Sequence, residues 1–223
     1  MTLRPVLVLA ALLGLPDLAS AAGAYDPSAE YRTVETPHFY VVFAAGYEAI
    51  AIRAGELAEV ILPRLTRRFD YELSGKVTII IDDQTDIANG SATILPSKTV
   101  TLLITPPTEV SGLEDYDDWL ESILVHELTH VVHLDMVYGL PWLGRQLFGK
   151  YVALNSYTPA WVTEGLAVYS ETIDTGAGRG RSSYVDMVLR MAVLEDCFPT
   201  IDRGFRSYSS WPFSNVAYFV GGR

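Results

Sequence analysis

The sequence carries the pattern H-E-x-x-H once, as H-E-L-T-H at residues 126–130. The motif lies inside a run over 116–136 whose apolar spacing predicts a helix. Residues four apart lie on one face of a helix, so His126 and His130 can turn their imidazole nitrogens toward one point. This pair is typical of a site for one zinc ion, Zn2+, and Glu127 is typical of the general base of a metallopeptidase. The alternative is two core histidines that hydrogen-bond to carbonyl groups.

A third ligand must come from outside this helix. His133 lies about 10 Å of helical rise beyond His126, too far to share its metal, and is interpreted as a residue that supports the site or faces solvent. The run over 158–171 predicts a second helix, in which apolar neighbours favour Glu164 as a partly buried ligand over a lone solvated glutamate. Glu171, on the same face, is a candidate to hold the second nitrogen of a histidine. Its alternative is an exposed carboxylate at the helix end.

Residues upstream of the motif predict a lobe built on a β-sheet. Strands are predicted over 38–43, 76–81 and 99–105, and a helix over 47–69. Pro63 should kink or split that helix, and Asn89-Gly90 predicts a turn. Alternating Thr and apolar residues over 99–105 predict an edge strand, which either pairs with an extended peptide or faces solvent.

The expected fold class is α+β, with a mixed sheet lobe over about 30–115 and a mainly helical lobe over about 116–223. Thr158 is the predicted N-cap of the second helix and Pro159 its first residue. A net charge of −11 over 223 residues argues against nucleic acid and against an anionic membrane as main partners.

The first 21 residues predict a signal peptide. A positively charged start precedes an apolar run over 5–15, and Ala19-Ser20-Ala21 fits a cleavage site. The alternative is a retained N-terminal anchor. We therefore expect a mature domain over 22–223 that is exported to the periplasm or the extracellular space.

The motif H-E-L-T-H, followed by W-V-T-E-G-L-A-V-Y-S-E at 161–171, resembles the gluzincin metallopeptidases. More narrowly, the chain resembles the peptidase-MA-like domains of bacterial envelope proteins, which are often followed by a TolB-like β-propeller. The resemblance spans about residues 36–219 and implies a zincin-like fold. It implies one Zn2+ held by His126, His130 and Glu164, with Glu127 as base and Glu171 matching a glutamate of the second helix.

The function implied is hydrolysis of peptide bonds by a metal-activated water, with Glu127 as general base. An endopeptidase is expected, because the glycine-rich motif of the aminopeptidase N type is missing. Tyr218 lies near the position of the oxyanion-stabilising tyrosine of that group; a core tyrosine is the alternative, and Tyr208 is the second candidate. The alternative function is a catalytically weak zincin-like scaffold or binding module of a larger envelope protein.

Residues 138–154 and 176–181 are two segments outside the predicted site. The aromatic and leucine-rich segment over 138–154 is expected to pack on the helical lobe, with contact to the cleft, a membrane or a partner as alternatives. Residues 176–181 predict a flexible, solvated basic loop. The expected partners are a peptide or protein substrate and an attached β-propeller or envelope protein.

Overall fold

The structure is a computed structural model that describes residues 26–108, 116–198 and 216–222. The predicted signal peptide and Tyr208 lie outside these ranges. The strands are β1 (Tyr31–Glu35), β2 (Phe39–Ala44), β3 (Val77–Asp82), β4 (Asn89–Thr93) and β5 (Thr99–Leu103). The helices are α1 (Glu48–Phe69), α2 (Trp119–Asp135), α3 (Gly139–Phe148), α4 (Ala160–Asp174), α5 (Ser183–Leu194) and α6 (Val216–Gly221). Short 3-10 turns cover Gly149–Tyr151, Leu154–Tyr157 and Arg179–Arg181. The predicted mixture of helices with a mixed sheet is confirmed.

The five strands form one sheet in the order β1-β2-β3-β5-β4. The pairs β2-β3 and β3-β5 are parallel, and the outer pairs β1-β2 and β4-β5 are antiparallel. Alternate residues of β2, β3 and β5 are buried, as the period of a strand requires. The main core joins this sheet to α1 and α2 and contains Phe39, Ile79, Leu102, Leu124 and Leu128. The sheet therefore supports the helix that carries the H-E-x-x-H motif.

The edge of the sheet differs from the prediction. The run at 99–105 was expected to form the edge, but β5 lies inside the sheet between β3 and β4. The Asn89-Gly90 pair does not form the predicted turn, because both residues belong to β4, where Asn89 pairs with Leu103 and Gly90 with Leu102. Residues of β4 have weak intrinsic strand preference, so pairing with β5 determines their conformation.

Helix α2 is buried over most of its length. It begins one residue after Asp118, whose Oδ1 accepts hydrogen bonds from the backbone N–H groups of Leu120 (3.1 Å) and Glu121 (3.4 Å). These bonds satisfy donors that the first turn of a helix leaves free. Because α2 is buried, its polar side chains need hydrogen-bond or ionic partners inside the protein. Helix α1 runs through Pro63 as one element, so of the predicted kink or split, the split does not occur.

Helices α4 and α6 approach each other through two glycines. A Cβ atom at Gly165 would lie 2.3 Å from the Gly221 carbonyl oxygen, and one at Gly221 would lie 1.8 Å from the Trp161 carbonyl oxygen. Neither position has room for a side chain, so glycine permits this backbone contact.

The predicted start of α4 was one residue early: Pro159 occupies the N-cap position, and Thr158 does not cap the helix.

Helix α3 contradicts the expectation that residues 138–154 pack on the helical lobe. It has no buried residue, and its leucines and aromatic side chains are exposed. Within the described ranges, no helix combines the length and the apolar character needed to cross a membrane.

Candidate metal centre

Helices α2 and α4 bring three predicted ligands together. The Nε2 atoms of His126 and His130 lie 3.1 Å apart. The Oε2 atom of Glu164 lies 3.4 Å from the His126 nitrogen and 3.3 Å from the His130 nitrogen. His126 and His130 are buried on α2, and Glu164 is half-buried on α4. The three atoms form a nearly equilateral triangle.

This triangle has the dimensions of a metal site. In a tetrahedral site with bonds of about 2.0–2.1 Å, two donor atoms are separated by about 3.3–3.4 Å. The observed separations of 3.1–3.4 Å match that spacing. His126, His130 and Glu164 can therefore hold a metal ion. His133 does not belong to this cluster, as predicted, but it is buried rather than exposed.

The charge of Glu164 suits a ligand. Burial disfavours its ionised form, but interactions with His126 and His130 outweigh burial and lower the pKa of the Glu164 carboxyl. The carboxyl is therefore ionised at neutral pH and offers a negatively charged oxygen. Glu164 is therefore not a lone solvated glutamate, which was the alternative prediction.

Glu127 is the second carboxylate of the site and has a different environment. It is buried beside the ligands, and burial raises its pKa, an effect that the neighbouring His126 and His130 oppose. Strand β4 covers it closely: a Cβ atom at Gly90 would lie 2.7 Å from Glu127 Oε1. The glycine thus leaves space for the Glu127 carboxyl between α2 and the sheet edge.

Glu171 and Arg179 surround the outer nitrogen of His126. Glu171 Oε2 lies 3.1 Å from His126 Nδ1, so the predicted contact to a histidine is present and the exposed-carboxylate alternative is wrong. Arg179 donates from Nε to Glu171 Oε1 (2.8 Å) and from Nη2 to Glu171 Oε2 (2.9 Å). Burial opposes ionisation of Glu171, but Arg179 and His126 lower its pKa to about 2.

The protonation of His126 determines which contact is compatible with metal binding. Arg179 Nη2 also lies 2.7 Å from His126 Nδ1. A guanidinium can only donate, so this contact requires a proton on Nε2, where a metal would bind. Donation from Nδ1–H to Glu171 leaves the Nε2 lone pair free. A metal-ligating His126 therefore pairs with Glu171 rather than with Arg179.

Tyr218 of α6 lies over the same histidine. Its ring stacks on His126 with centroids 6.0 Å apart and planes inclined by 22°, and the Arg179 guanidinium carbon lies 4.8 Å from its centroid. Burial, followed by the charge of Glu164, raises the pKa of the Tyr218 phenol. The phenol therefore stays protonated at neutral pH and can donate a hydrogen bond.

The cavity beside these groups has a volume of about 300 Å3 and is lined by His126, Glu127, His130, Glu164 and Tyr218. Its wall also includes Asn89, Gly90, Ser91 and Ala92 of β4, and Arg179. Neither the β4 wall of the cavity nor the position of Arg179 was predicted from the sequence. Arg179 was predicted to lie in a flexible, solvated loop. It lies instead in a 3-10 turn, and its side chain is only 12% exposed because it pairs with Glu171 of α4.

A search against protein-family models found no match, and a search of curated proteins found none either. The resemblance to gluzincins therefore depends on the residues of the two motifs. The site itself is a buried cluster of two histidines and one carboxylate, able to hold a metal ion beside a second, buried carboxylate.

Proposed function

We propose that this chain is a zinc-dependent endopeptidase with a zincin-like fold of the gluzincin type. The observation that carries the proposal is the spacing of 3.1–3.4 Å among His126 Nε2, His130 Nε2 and Glu164 Oε2. Two imidazoles and one carboxylate are a donor set that catalytic zinc uses, and they leave a coordination position open. Glu127 lies directly beside this donor set, at the wall of the same cavity.

Zinc, when bound, would polarise the scissile carbonyl group and make water more acidic. Glu127 would accept the proton of the attacking water on its carboxylate and later deliver that proton to the leaving amine. Its burial supports this role, because a raised pKa makes a carboxylate a better proton acceptor. Glu164 keeps its charge and serves as ligand, so the two carboxylates have separate roles.

Tyr218 would donate its phenolic proton in a hydrogen bond to the oxygen on which negative charge develops. Its raised pKa supports a donor that remains neutral during the reaction. Arg179 would act through other residues: its two bonds to Glu171 orient the carboxylate that accepts the proton of His126 Nδ1. Arg179 is therefore a positioning residue.

Substrate would bind as an extended chain along β4. This strand is the edge of the described sheet, pairs with β5 on one side, and contributes four consecutive residues to the cavity wall. An edge strand offers backbone donors and acceptors to a peptide independently of the peptide's sequence. A cleft bounded in this way supports internal cleavage of a peptide or protein.

The decisive experiment replaces Glu127 with Gln. The amide has the same shape but cannot accept the proton, so Glu127→Gln should retain one zinc per chain and lose hydrolysis of fluorogenic casein. Glu121→Gln is the matched control, since Glu121 lies on the same helix outside the cavity. Metal content is measured by mass spectrometry. Equal hydrolysis by Glu127→Gln and the wild type would refute the proposal, as would a wild type that binds zinc without cleaving any peptide.

We also propose that the domain acts outside the cytoplasm, in the periplasm or the extracellular space. The N-terminal pattern of the first 21 residues supports export. Expression of the full chain in a bacterial host, followed by mass spectrometry of the exported product, should give a mature N-terminus at Ala22. A product that keeps residues 1–21 would contradict cleavage.

A further inference from the structure

The surface formed by α3 and the 3-10 turn after it is strongly apolar and exposed. We call it the apolar ridge. It consists of Leu140 (81% exposed), Leu143 (53%), Leu147 (80%), Phe148 (68%) and Tyr151 (85%). Single apolar side chains on a surface are ordinary, but consecutive helical turns of exposed leucine and aromatic residues indicate an interaction site.

Helix α3 is oriented with its charged residue toward the protein. The side chain of Arg145 is only 11% exposed, and it pairs with the fully buried carboxylate of Asp135. Arg145 Nη1 also donates to the Asp135 carbonyl oxygen at 2.5 Å. Tyr71 donates to the same carbonyl at 2.7 Å, which fixes the acceptor in place. These buried contacts hold α3 with its leucines facing outward.

This orientation is the reverse of that of a helix packed on a soluble core. A surface helix in water normally turns its apolar side inward and its charges outward. Rotating α3 to bury its leucines would leave the buried charge of Asp135 without its cationic partner, which is costly. We therefore expect the exposed side chains of the apolar ridge to contact an apolar environment.

The charge distribution points to a lipid surface as that environment. The chain has 27 acidic residues, yet none lies between Asp135 and Glu164. The same interval contains Trp142, Tyr138 and Lys150, residue types that accumulate where headgroups meet acyl chains. The net charge of −11 opposes both a second copy of the chain and an anionic lipid surface, so the lipid that fits is zwitterionic.

We propose that the apolar ridge docks on the surface of a phospholipid bilayer, with its leucines and Phe148 at the boundary of headgroups and acyl chains. The ridge follows the C-terminal end of α2, the helix that carries His126 and His130. Contact with a membrane was the less favoured alternative for this segment; the exposure of its side chains now favours it. The proposal is independent of zinc binding and hydrolysis.

A fluorescent probe placed on the ridge tests this directly. The full chain has one cysteine, the exposed Cys197, so Cys197→Ser followed by Leu147→Cys allows labelling with an environment-sensitive dye. Vesicles of phosphatidylethanolamine and phosphatidylcholine, which carry no net charge, should shift the emission to shorter wavelength and raise its intensity several-fold. Ile52→Cys is the matched control. Ile52 is exposed near the N-terminal end of α1, whereas Tyr138, just before α3, donates to the Asp70 carbonyl oxygen at the C-terminal end of α1. The readout is local, so attachment through the N-terminal segment would not mimic it.

A second substitution confirms the route of binding. Leu140→Glu should weaken the vesicle response of the dye at position 147 by at least about tenfold, whereas Ile52→Glu should leave it unchanged. Both side chains are exposed, so neither change should unfold the chain. No shift with vesicles would overturn the proposal. A shift that depends on protein concentration without vesicles would overturn it in favour of self-association, and equal shifts at positions 147 and 52 would show non-specific adsorption and overturn it as well.

Discussion

Replacing Gly90 with Ala should separate catalysis from metal binding at this site. Gly90 lies on β4 above the carboxyl of Glu127. A Cβ atom there would lie 2.7 Å from Glu127 Oε1, 2.8 Å from Cγ and 3.0 Å from Cδ. Real Cβ atoms do not approach other atoms so closely, so one of the two groups must move. The Glu127 carboxyl is the end of a flexible side chain, whereas Gly90 is held in the sheet by pairing with Leu102.

The size of the required shift sets the expected effect. Restoring an ordinary contact of 3.4 Å moves Oε1 by about 0.7 Å, and misplacement by about 1 Å costs about 100-fold in rate. We therefore expect Gly90→Ala to lower kcat by about 10- to 100-fold. The proposed metal ligands are on α2 and α4, and the three atoms nearest to the new methyl group all belong to Glu127, so zinc affinity should stay within about twofold.

Three measurements on one preparation test this reasoning. They are kcat on fluorogenic casein, zinc stoichiometry by mass spectrometry, and Tm by calorimetry. Gly144→Ala is the matched control, because a Cβ atom there would meet only Val152 at 3.8 Å. A Gly90→Ala protein with wild-type kcat would refute the proposed position of the base. Loss of zinc together with kcat would show that the substitution disturbs the whole site rather than Glu127.

Three further substitutions test the remaining groups. Glu164→Gln should weaken zinc binding at least about 100-fold by titration calorimetry, and unchanged affinity would exclude Glu164 as ligand. Tyr218→Phe should lower kcat about 100-fold with KM nearly unchanged, because the phenol acts on charge that develops during the reaction; an unchanged kcat would make Tyr218 a packing residue. Glu171, with a pKa of about 2 in the folded chain against 4.5 ordinarily, stabilises the fold above pH 4.5 and loses that contribution as the pH falls toward 2. The loss is about 3 kcal/mol in the free energy of unfolding by urea. In Glu171→Gln, the free energy of unfolding should fall less steeply between pH 4.5 and 2 than in the wild type. An equally steep fall would contradict the assigned role of Glu171.

The sequence was sufficient to predict the cluster of His126, His130 and Glu164, because its pattern is local. His126 and His130 lie one helical turn apart, and the apolar surroundings of Glu164 indicated a second buried helix. The structure confirms that these three residues meet, and that Glu171 contacts His126. In each case the spacing along a helix determined which face the side chain occupies.

Features that depend on contacts between distant segments were not predicted. Asn89-Gly90 has the composition of a turn, and only pairing with β5 makes it a strand. Arg179 lies in a glycine-rich segment that favours a flexible loop, and its contacts with Glu171, His126 and Tyr218 hold it in place. The apolar pattern of α3 identified a helix with one apolar side, but it does not specify whether that side faces the core or the surroundings. The Arg145–Asp135 pair settles the orientation.

The arrangement of the site makes metal binding and turnover separable properties of this chain. The proposed zinc ligands come from α2 and α4 alone, and the support for His126 comes from α4 and the turn that follows it. The groups proposed to act in turnover depend in addition on β4, which confines Glu127 at Gly90, and on α6, which presents Tyr218. An H-E-x-x-H helix with its third ligand can thus hold a metal in a protein that cleaves nothing. The contacts at β4 and α6 are what distinguish the proposed peptidase from a metal-binding scaffold, because they position the base and the phenol without contributing any ligand.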